Sequence, residues 1–189
     1  MGIMNSTLAV INRDTSGIAT VEQAKNWLRV TGNSEDVLIQ GIINGAVAYA
    51  ENYLNRTISN NQYMMSLNHF TELVELRLPP VSEVTKIEYF DGDGAVQQFD
   101  VANTRLNIEE GYLSLKQGES WPEDIADEYF PIQIYYTSEG MVIGNQGADI
   151  IDAIKLIIGY RYDLRDDPNQ RWRKASDNIL MQLRLYNYS

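Results

Sequence analysis

The sequence predicts an α+β protein in which a helical bundle, built from N- and C-terminal helices, carries a β-rich insertion. Three observations lead to this fold class. Apolar residues recur at helical spacing before residue 61 and again from residue 148. Residues 62–138, between them, hold short runs of β-branched and aromatic residues separated by turn formers. Neither pair of helices is long enough to bury its apolar side alone, so we expect the two chain ends to pack together.

Two helices are predicted within residues 20–61, the first part of the helical core. Thr20 and Gln23 have the spacing of a capping box, which predicts that the first helix begins at Thr20. Ser34 is a good N-cap for a second helix, which ends near Asn55. Residues 1–19 show no clear periodicity and are predicted to form an N-terminal arm. The apolar positions of the second helix recur every three or four residues: Leu38, Ile42, Ala46, Ala50 and Tyr53.

Six strands are predicted in the β-rich insertion, because β-branched and aromatic residues favour extended structure. They are Tyr63–Leu67, Leu73–Leu76, Val84–Phe90, Val96–Val101, Tyr112–Leu115 and Ile132–Thr137. The run Asp91-Gly92-Asp93-Gly94 lies between two of these strands and is typical of a hairpin loop. It does not match a calcium-binding loop, since the third ligand, the central glycine and the closing glutamate are missing.

Helical periodicity returns in residues 148–163, the second part of the helical core. One side of this helix, which runs to about Tyr162, is lined by Ile150, Ile151, Ile154, Ile157 and Ile158. The run Asp166-Asp167-Pro168-Asn169 then breaks the helical pattern. A last helix is predicted from Arg171 to Tyr186, inside a C-terminal docking segment that comprises residues 164–189.

Composition places the chain among globular proteins. It has 189 residues, of which 44% are apolar and 22% charged. It has no cysteine, which excludes disulfides, thiolate metal ligands and a cysteine nucleophile, and which fits a reducing compartment. No apolar run approaches the ~20 residues of a membrane span, and the first residues lack the basic region of a signal peptide. We therefore expect a soluble protein, made in the cytoplasm.

No catalytic site, metal site or cofactor is predicted. His69 is the sole histidine and has no nucleophile motif beside it; a zinc site would need three carboxylates or waters in addition. The acidic pairs Glu109-Glu110 and Glu123-Asp124 have the chemistry of glycosidase carboxylates, but such neighbours are usually a solvated loop. No glycine-rich phosphate loop follows a predicted strand. These absences argue against an enzyme.

Positive charge is concentrated near the C-terminus. Residues 1–160 contain 9 basic and 22 acidic side chains, a net of −13, whereas residues 161–189 contain 6 basic and 4 acidic ones, a net of +2. Five of the basic residues lie within residues 161–174, and Trp172 lies among them: Arg161, Arg165, Arg171, Arg173 and Lys174. Arginine and tryptophan are enriched as anchors of protein interfaces, which favours an acidic protein surface as partner. A solvated helix end and a nucleic acid are the alternatives, and the total charge of −11 disfavours the second.

Several short motifs follow one another in a characteristic order along residues 20–186. The N-terminal ones are VEQAKNWLRV at 21–30, ED at 35–36 and AENYLNR at 50–56. The middle ones are LPPV at 78–81, VTKIEY at 84–89, DGDG at 91–94, SWP at 120–122 and IQIYYT at 132–137. The helix at 153–162, Arg165 and LRLY at 183–186 complete the order. This pattern resembles the head–tail connector (adaptor) proteins of tailed bacteriophages, in the branch that carries a β-rich insertion.

The resemblance implies a structural protein of the virion and not an enzyme. Connectors of this family form a ring below the portal protein, extend the DNA channel and present a surface to a tail or stopper protein; the resemblance suggests twelvefold symmetry for the ring. DNA would pass through without specific binding, which suits an acidic body, and no membrane is involved. The C-terminal segment is the part expected to reach the portal. Its candidate docking residues are Arg161, Arg165, Arg171, Trp172, Arg173, Lys174, Leu183, Arg184, Leu185 and Tyr186.

A closed ring needs two unlike faces on each subunit. We predict that the small-residue helix 34–56 supplies one of them, through Gly41, Ala46, Ala50 and Tyr53. Exposed strand edges of the β-rich insertion are a further candidate.

Two other classes stay open at this stage. The tyrosine-rich insertion is also compatible with a non-catalytic carbohydrate- or ligand-binding module of a virion or cell surface. Such a module predicts a concave pocket lined by Tyr89, Tyr112, Tyr135 or Tyr136. A hydrolase would require two carboxyl groups across a cleft, roughly 5–10 Å apart.

Overall fold

The computed structural model describes residues 6–140, 145–163 and 172–184. The chain divides into two compact units. Residues 14–60 and 140–189 belong to the helical unit, and residues 1–13 and 61–139 belong to the β unit.

The helical unit contains four helices in its described residues. They are α1 (Val21–Leu28), α2 (Asp36–Leu54), α3 (Asn145–Asp163) and α4 (Trp172–Leu180), and a 3-10 turn at Met181–Leu183 follows the last. One hydrophobic core joins them, because Ile39, Ile43 and Val47 of α2 pack with Ile154 and Ile158 of α3. The expectation that the two ends of the chain pack together is confirmed.

The ends of the first two helices follow local chemistry. Thr20 Oγ1 accepts from Gln23 N, and Gln23 Oε1 accepts from Thr20 N at 2.9 Å, so the predicted capping box is present. The predicted start of the second helix at Ser34 is wrong. α2 begins at Asp36, after Glu35, whose side chain makes no capping bond.

The β unit contains eight strands among the residues described. They are β1 (Ser6–Asp14), β2 (Asn60–Leu67), β3 (Leu73–Glu75), β4 (Glu83–Phe90), β5 (Val96–Phe99), β6 (Thr104–Asn107), β7 (Tyr112–Leu115) and β8 (Ile132–Ser138). A five-stranded sheet has the order β1-β2-β8-β4-β5, and a three-stranded sheet has the order β3-β7-β6. The pairs β2–β8, β4–β8 and β4–β5 are antiparallel, as are β3–β7 and β6–β7.

Both sheets contribute to the core of the β unit. Met65 and Ile134 come from the five-stranded sheet, and Val74 and Leu113 come from the three-stranded sheet; all four are fully buried in one cluster. Alternation along β8 explains this, since Ile132, Ile134 and Tyr136 are buried and the residues between them are partly exposed.

The predicted architecture, a helical bundle with a β-rich insertion, is wrong. The class is α+β, but the chain forms four helices and two antiparallel sheets in its described residues, and the β unit is not an insertion alone. Residues 6–14, predicted as part of an N-terminal arm, form β1 and occupy one edge of the five-stranded sheet. The physical reason is that β2 presents a free edge, whose backbone groups gain hydrogen bonds by pairing with the N-terminal segment.

The hairpin predicted at residues 91–94 joins β4 to β5. Asp91 Oδ1 accepts from Asp93 N at 3.1 Å and from Ala95 N at 2.9 Å, and Gln97 donates to Oδ2. These hydrogen bonds lower the pKa of the Asp91 carboxyl, the Gln97 bond most strongly. Gly94 has φ +79°, a conformation that glycine adopts without strain.

Candidate docking surface at the C-terminal helix

The described structure places four of the ten predicted portal-docking residues in full. Arg161 is in α3, Lys174 is in α4, Leu183 closes the 3-10 turn, and Arg184 follows it. The other predictions lie outside the described residues or side chains: Arg165, Arg171, Trp172, Arg173, Leu185 and Tyr186.

Helix α4 is held firmly against the helical unit. Ser176 and Leu180 are fully buried, and Leu180 belongs to the hydrophobic core. The Tyr49 hydroxyl of α2 donates to Asp177 Oδ1 at 2.7 Å, and Leu183 packs against the same core. The C-terminal helix is therefore an integral element of the unit and not a loose tail.

The basic residues of this region have different surroundings. The guanidinium of Arg161 lies against Gly45 of α2, so closely that a Cβ at position 45 would collide with it. Lys174 is exposed on α4. The Arg184 guanidinium lies 5.5 Å from the centroid of the Tyr53 ring, within the range of a cation–π interaction. Lys174 and Arg184 are thus at the surface, whereas Arg161 packs against α2 within the helical unit.

A groove on the helical unit was not anticipated from the sequence. It has a volume of about 610 Å³ and lies between α1 and α3, lined by Trp27, Asp152, Lys155, Leu156, Gly159, Tyr160 and Asp163. Trp27 is 37% exposed. Lys155 Nζ lies 5.2 Å from the Trp27 ring and 2.9 Å from Asp152 Oδ1. Asp152, Lys155 and Asp163 lie on the side of α3 opposite the buried Ile154 and Ile158, so the sequence pattern gives no signal for this groove.

The predicted acidic pairs and the histidine form no catalytic arrangement. Asp124 Oδ1 accepts from Gly92 N at 3.1 Å, and Glu110 Oε2 accepts from Asn107 Nδ2 at 3.0 Å, so these carboxylates brace loops. His69 is exposed in the turn after β2. The described residues include no group of three or more His, Cys, Asp or Glu that could hold a metal ion. They also include no helix long and apolar enough to cross a membrane.

The four tyrosines predicted to line a ligand pocket are separated by the fold. Tyr136 is buried in the core, where burial raises its pKa and its hydroxyl donates to Arg77 O at 2.7 Å. Tyr135, next to it on β8, points to the opposite face of the sheet, where Lys86 Nζ lies 4.1 Å from its ring. Tyr89 packs against the core, and Tyr112 is in the other sheet.

The outer face of the five-stranded sheet carries a polar cluster around Tyr135. Lys86 Nζ lies 2.9 Å from Glu88 Oε2, and this hydrogen bond lowers the pKa of the Glu88 carboxyl below its usual range. The Tyr135 hydroxyl donates to Gln133 Oε1 at 2.8 Å. These groups satisfy one another on a sheet face, on the side opposite the buried Tyr136.

Comparison with known proteins finds a family match for about a third of the chain, in its N-terminal half. Residues 18–82 match the sequence model of the phage gp6-like head-tail connector protein family. The resemblance to head–tail connector proteins is confirmed. The matched segment contains α1, α2, β2 and β3, and it includes all four residues predicted for a subunit interface.

The fold of the chain is shared with solved structures. One is titled the neck of an empty gene transfer agent (GTA) particle computed with C6 symmetry (16% identity, TM-score 0.74, covering 97% of each chain). A second is the virion of a native GTA particle (17% identity, TM-score 0.74, 97% of each chain). A third is the neck of a native GTA particle computed with C12 symmetry (17% identity, TM-score 0.72, 100% of this chain and 98% of the other). No curated protein matches the chain in sequence.

The four residues predicted for a subunit interface differ in their exposure. Ala46 and Ala50 are fully buried in the core of their own chain, because α2 turns its small-residue side inward. Gly41 is exposed on the other side of α2, and Tyr53 is partly exposed and stacks with Tyr49 at 6.3 Å. Gly41 and Tyr53 are the two positions that another subunit can reach.

Gly41→Ala tests whether Gly41 belongs to a subunit interface. A Cβ at position 41 meets no atom within 4 Å, so alanine is expected to stabilise α2 by about 0.5–1 kcal/mol through its helix propensity. If a neighbouring helix packs on Gly41, the same methyl group weakens assembly. Thermal unfolding of the free chain and the mass distribution of its assemblies measure the two effects separately. Assembly equal to that of the wild type would remove Gly41 from the interface.

Proposed function

We propose that this chain is the structural head–tail connector of a tailed phage or phage-like particle. In this role it forms a homo-oligomeric ring below the portal, extends the DNA channel and links the head to the tail. The observation that carries the proposal is the family match of residues 18–82, together with a fold shared over nearly the whole chain with chains of GTA neck and virion structures. The proposed location is accordingly the head–tail interface of the virion.

The symmetry of the related neck structures supports a ring. Two of these structures were computed with C6 and C12 symmetry, and a twelvefold ring satisfies both, since sixfold symmetry is contained in twelvefold symmetry. Rings arise from head-to-tail interfaces in which one face of a subunit meets a different face of the next. The proposed partners are therefore further copies of the chain, a portal protein and a tail or stopper protein.

The charge distribution suits a passage for DNA. Residues 1–160 carry a net charge of −13, so the body of the protein repels a phosphate backbone. A channel that binds DNA weakly lets it move in both directions. The proposal is a structural role without catalysis, in which DNA passes without specific binding.

The C-terminal segment is the proposed portal anchor. Complete deletion of residues 170–189 is a poor test, because it removes Ser176 and Leu180 from the core of the helical unit. The triple variant Arg171→Ala, Trp172→Ala, Arg173→Ala leaves these packing residues in place. We expect it to bind purified portal at least about 30-fold more weakly, since truncating an arginine or tryptophan anchor typically costs about 2 kcal/mol. Binding is measured by sedimentation or by imaging of portal–connector complexes.

A matched control removes the same charge elsewhere. Arg29→Ala with Arg105→Ala also deletes two positive charges, one after α1 and one on β6, and is expected to bind portal like the wild type. A second variant, Arg171→Glu with Arg173→Glu, keeps Trp172 and reverses the charge of the two arginines. Circular dichroism of each variant checks that it is folded. If the wild-type chain binds no portal at any salt concentration, the proposed function is wrong. If both C-terminal variants bind portal like the wild type, the C-terminal segment is not the anchor.

A further inference from the structure

The two edge strands of the five-stranded sheet are unusual for a soluble protein. β1 and β5 form its two edges, and neither is bonded to a further strand within the described residues. An edge strand offers unpaired N–H and C=O groups to any other strand, and soluble proteins usually protect such edges with charged residues, proline or a bulge. Neither strand contains a proline, and charged side chains occur only at Arg13 and Asp14, at the end of β1.

Most of each edge strand is uncharged, although the chain carries a net charge of −11. Residues 6–12 (STLAVIN) and residues 94–99 (GAVQQF) contain no charged side chain, in a protein with 41 charged residues among its 189. Two copies with a net charge of −11 repel each other over most of their surface. The uncharged edges are the places where two copies approach at the lowest electrostatic cost.

The same edges also expose aliphatic side chains. Val10 is 46% exposed and Ile11 is 54% exposed on β1, and Val96 is 56% exposed on β5. Val10 and Ile11 are consecutive, so they point to opposite faces of the sheet, and β1 therefore lacks full cover on either face. The partner of such an edge must supply both backbone hydrogen bonds and apolar contacts, as another β-strand does.

The topology favours a head-to-tail pairing of these edges. Four strand spacings separate β1 from β5, about 19 Å, and the two edges face away from each other. Pairing of β1 with β1, or of β5 with β5, would give a closed dimer, whereas pairing of β1 with β5 gives a chain of subunits that can close into a ring.

We propose that the β1 edge of one subunit pairs with the β5 edge of the next, so that the five-stranded sheets join around the ring. This inference rests on the proposed ring-forming function and assigns the surface on which the ring is built. The occupant of each edge is the opposite edge of a second copy of this chain.

Crosslinking between single-cysteine variants tests the pairing, because the natural chain has no cysteine. Ile11→Cys protein is mixed with Val96→Cys protein and treated with a short bis-maleimide. The mixture is expected to give a heterodimer about tenfold faster than a control mixture of Val37→Cys with Val96→Cys, since pairing raises the effective concentration of the thiols. Val37 is a suitable control because it is 89% exposed on α2.

Each outcome bears on the proposal. Crosslinking no faster than the control, with and without portal, overturns it, and so does a dominant product of Ile11→Cys with itself. Hydrogen exchange of the β1 and β5 amides gives a second test, which needs no variant. The exchange is expected to slow on assembly, and unchanged exchange in the assembled protein contradicts the pairing. Crosslinking and portal binding are measured separately, so pairing without portal binding rejects the proposed function alone, whereas portal binding without pairing rejects this inference alone.

Discussion

Gly140→Ala is expected to destabilise the helical unit by about 3 kcal/mol, at the upper end of the cost of overpacking. A Cβ at position 140 would lie 2.8 Å from Ser59 N and still closer to the carbonyl group of Ile58. These are backbone atoms of a buried segment, so they cannot rotate away as the end of a flexible side chain does. The Gly140 amide also donates to Asn60 Oδ1 at 3.1 Å, and a shift that relieves the collision would weaken this bond.

Thermal and denaturant unfolding measure the effect of Gly140→Ala, with an expected decrease in Tm of about 10 °C. The matched control is Gly159→Ala in α3, where a Cβ meets no atom within 4 Å. That change is expected to be neutral or to stabilise by up to about 1 kcal/mol, through helix propensity. A Gly140→Ala protein as stable as the wild type would show that residues 58–59 yield easily, contrary to the packing described here.

The sequence predicted those elements whose local chemistry agrees with their final environment. The capping box of Thr20 and Gln23 determines the start of α1 without help from other segments. The strand Tyr112–Leu115 has the predicted bounds, because it alternates and is bounded by turn formers. The hairpin at residues 91–94 was likewise predictable, since Asp91 makes its hydrogen bonds within the loop.

The elements that were missed depend on partners distant in sequence. β1 lacks a regular alternation of apolar and polar residues, because its exposed part does not bury one face, and its strand conformation comes from pairing at the sheet edge. β6 has only four residues and is formed by pairing with β7. The small residues Ala46 and Ala50 were predicted for contacts between subunits, but they provide close packing inside one chain, and spacing alone does not distinguish these two uses of a small-residue helix.

The role of Glu51 was also missed, although the sequence contains a signal for it. Ile43, Val47 and Glu51 recur at intervals of four residues on the buried side of α2. A carboxylate in such a series is either an error in the assigned pattern or a buried group with several hydrogen-bond donors, because an unsatisfied buried charge is very costly. The structure shows the second case: Glu51 is 1% exposed.

Glu51→Ala is expected to destabilise the helical unit by about 3 kcal/mol or more, since hydrogen bonds to a charged group contribute about 1.5–3 kcal/mol each and do not add fully. Glu51 Oε1 accepts three hydrogen bonds: from Ile58 N at 3.1 Å, from Ser59 N at 3.2 Å and from Ser59 Oγ at 2.7 Å. Alanine removes the acceptor and leaves two buried backbone amides without it. The carboxylate therefore fixes the segment that follows α2.

Two further substitutions separate the charge of Glu51 from its shape. Glu51→Gln keeps an acceptor oxygen at the same place and is expected to lose about 1 kcal/mol, whereas the exposed Glu22→Ala on α1 is expected to change stability by less than about 1 kcal/mol. Hydrogen exchange of the Ile58 and Ser59 amides gives a local readout, which should accelerate strongly in Glu51→Ala and weakly in Glu51→Gln. If both Glu51 variants were as stable as Glu22→Ala, water would be replacing the carboxylate, and residues 58–59 would be held by the packing of Ile58 and Gly140 alone.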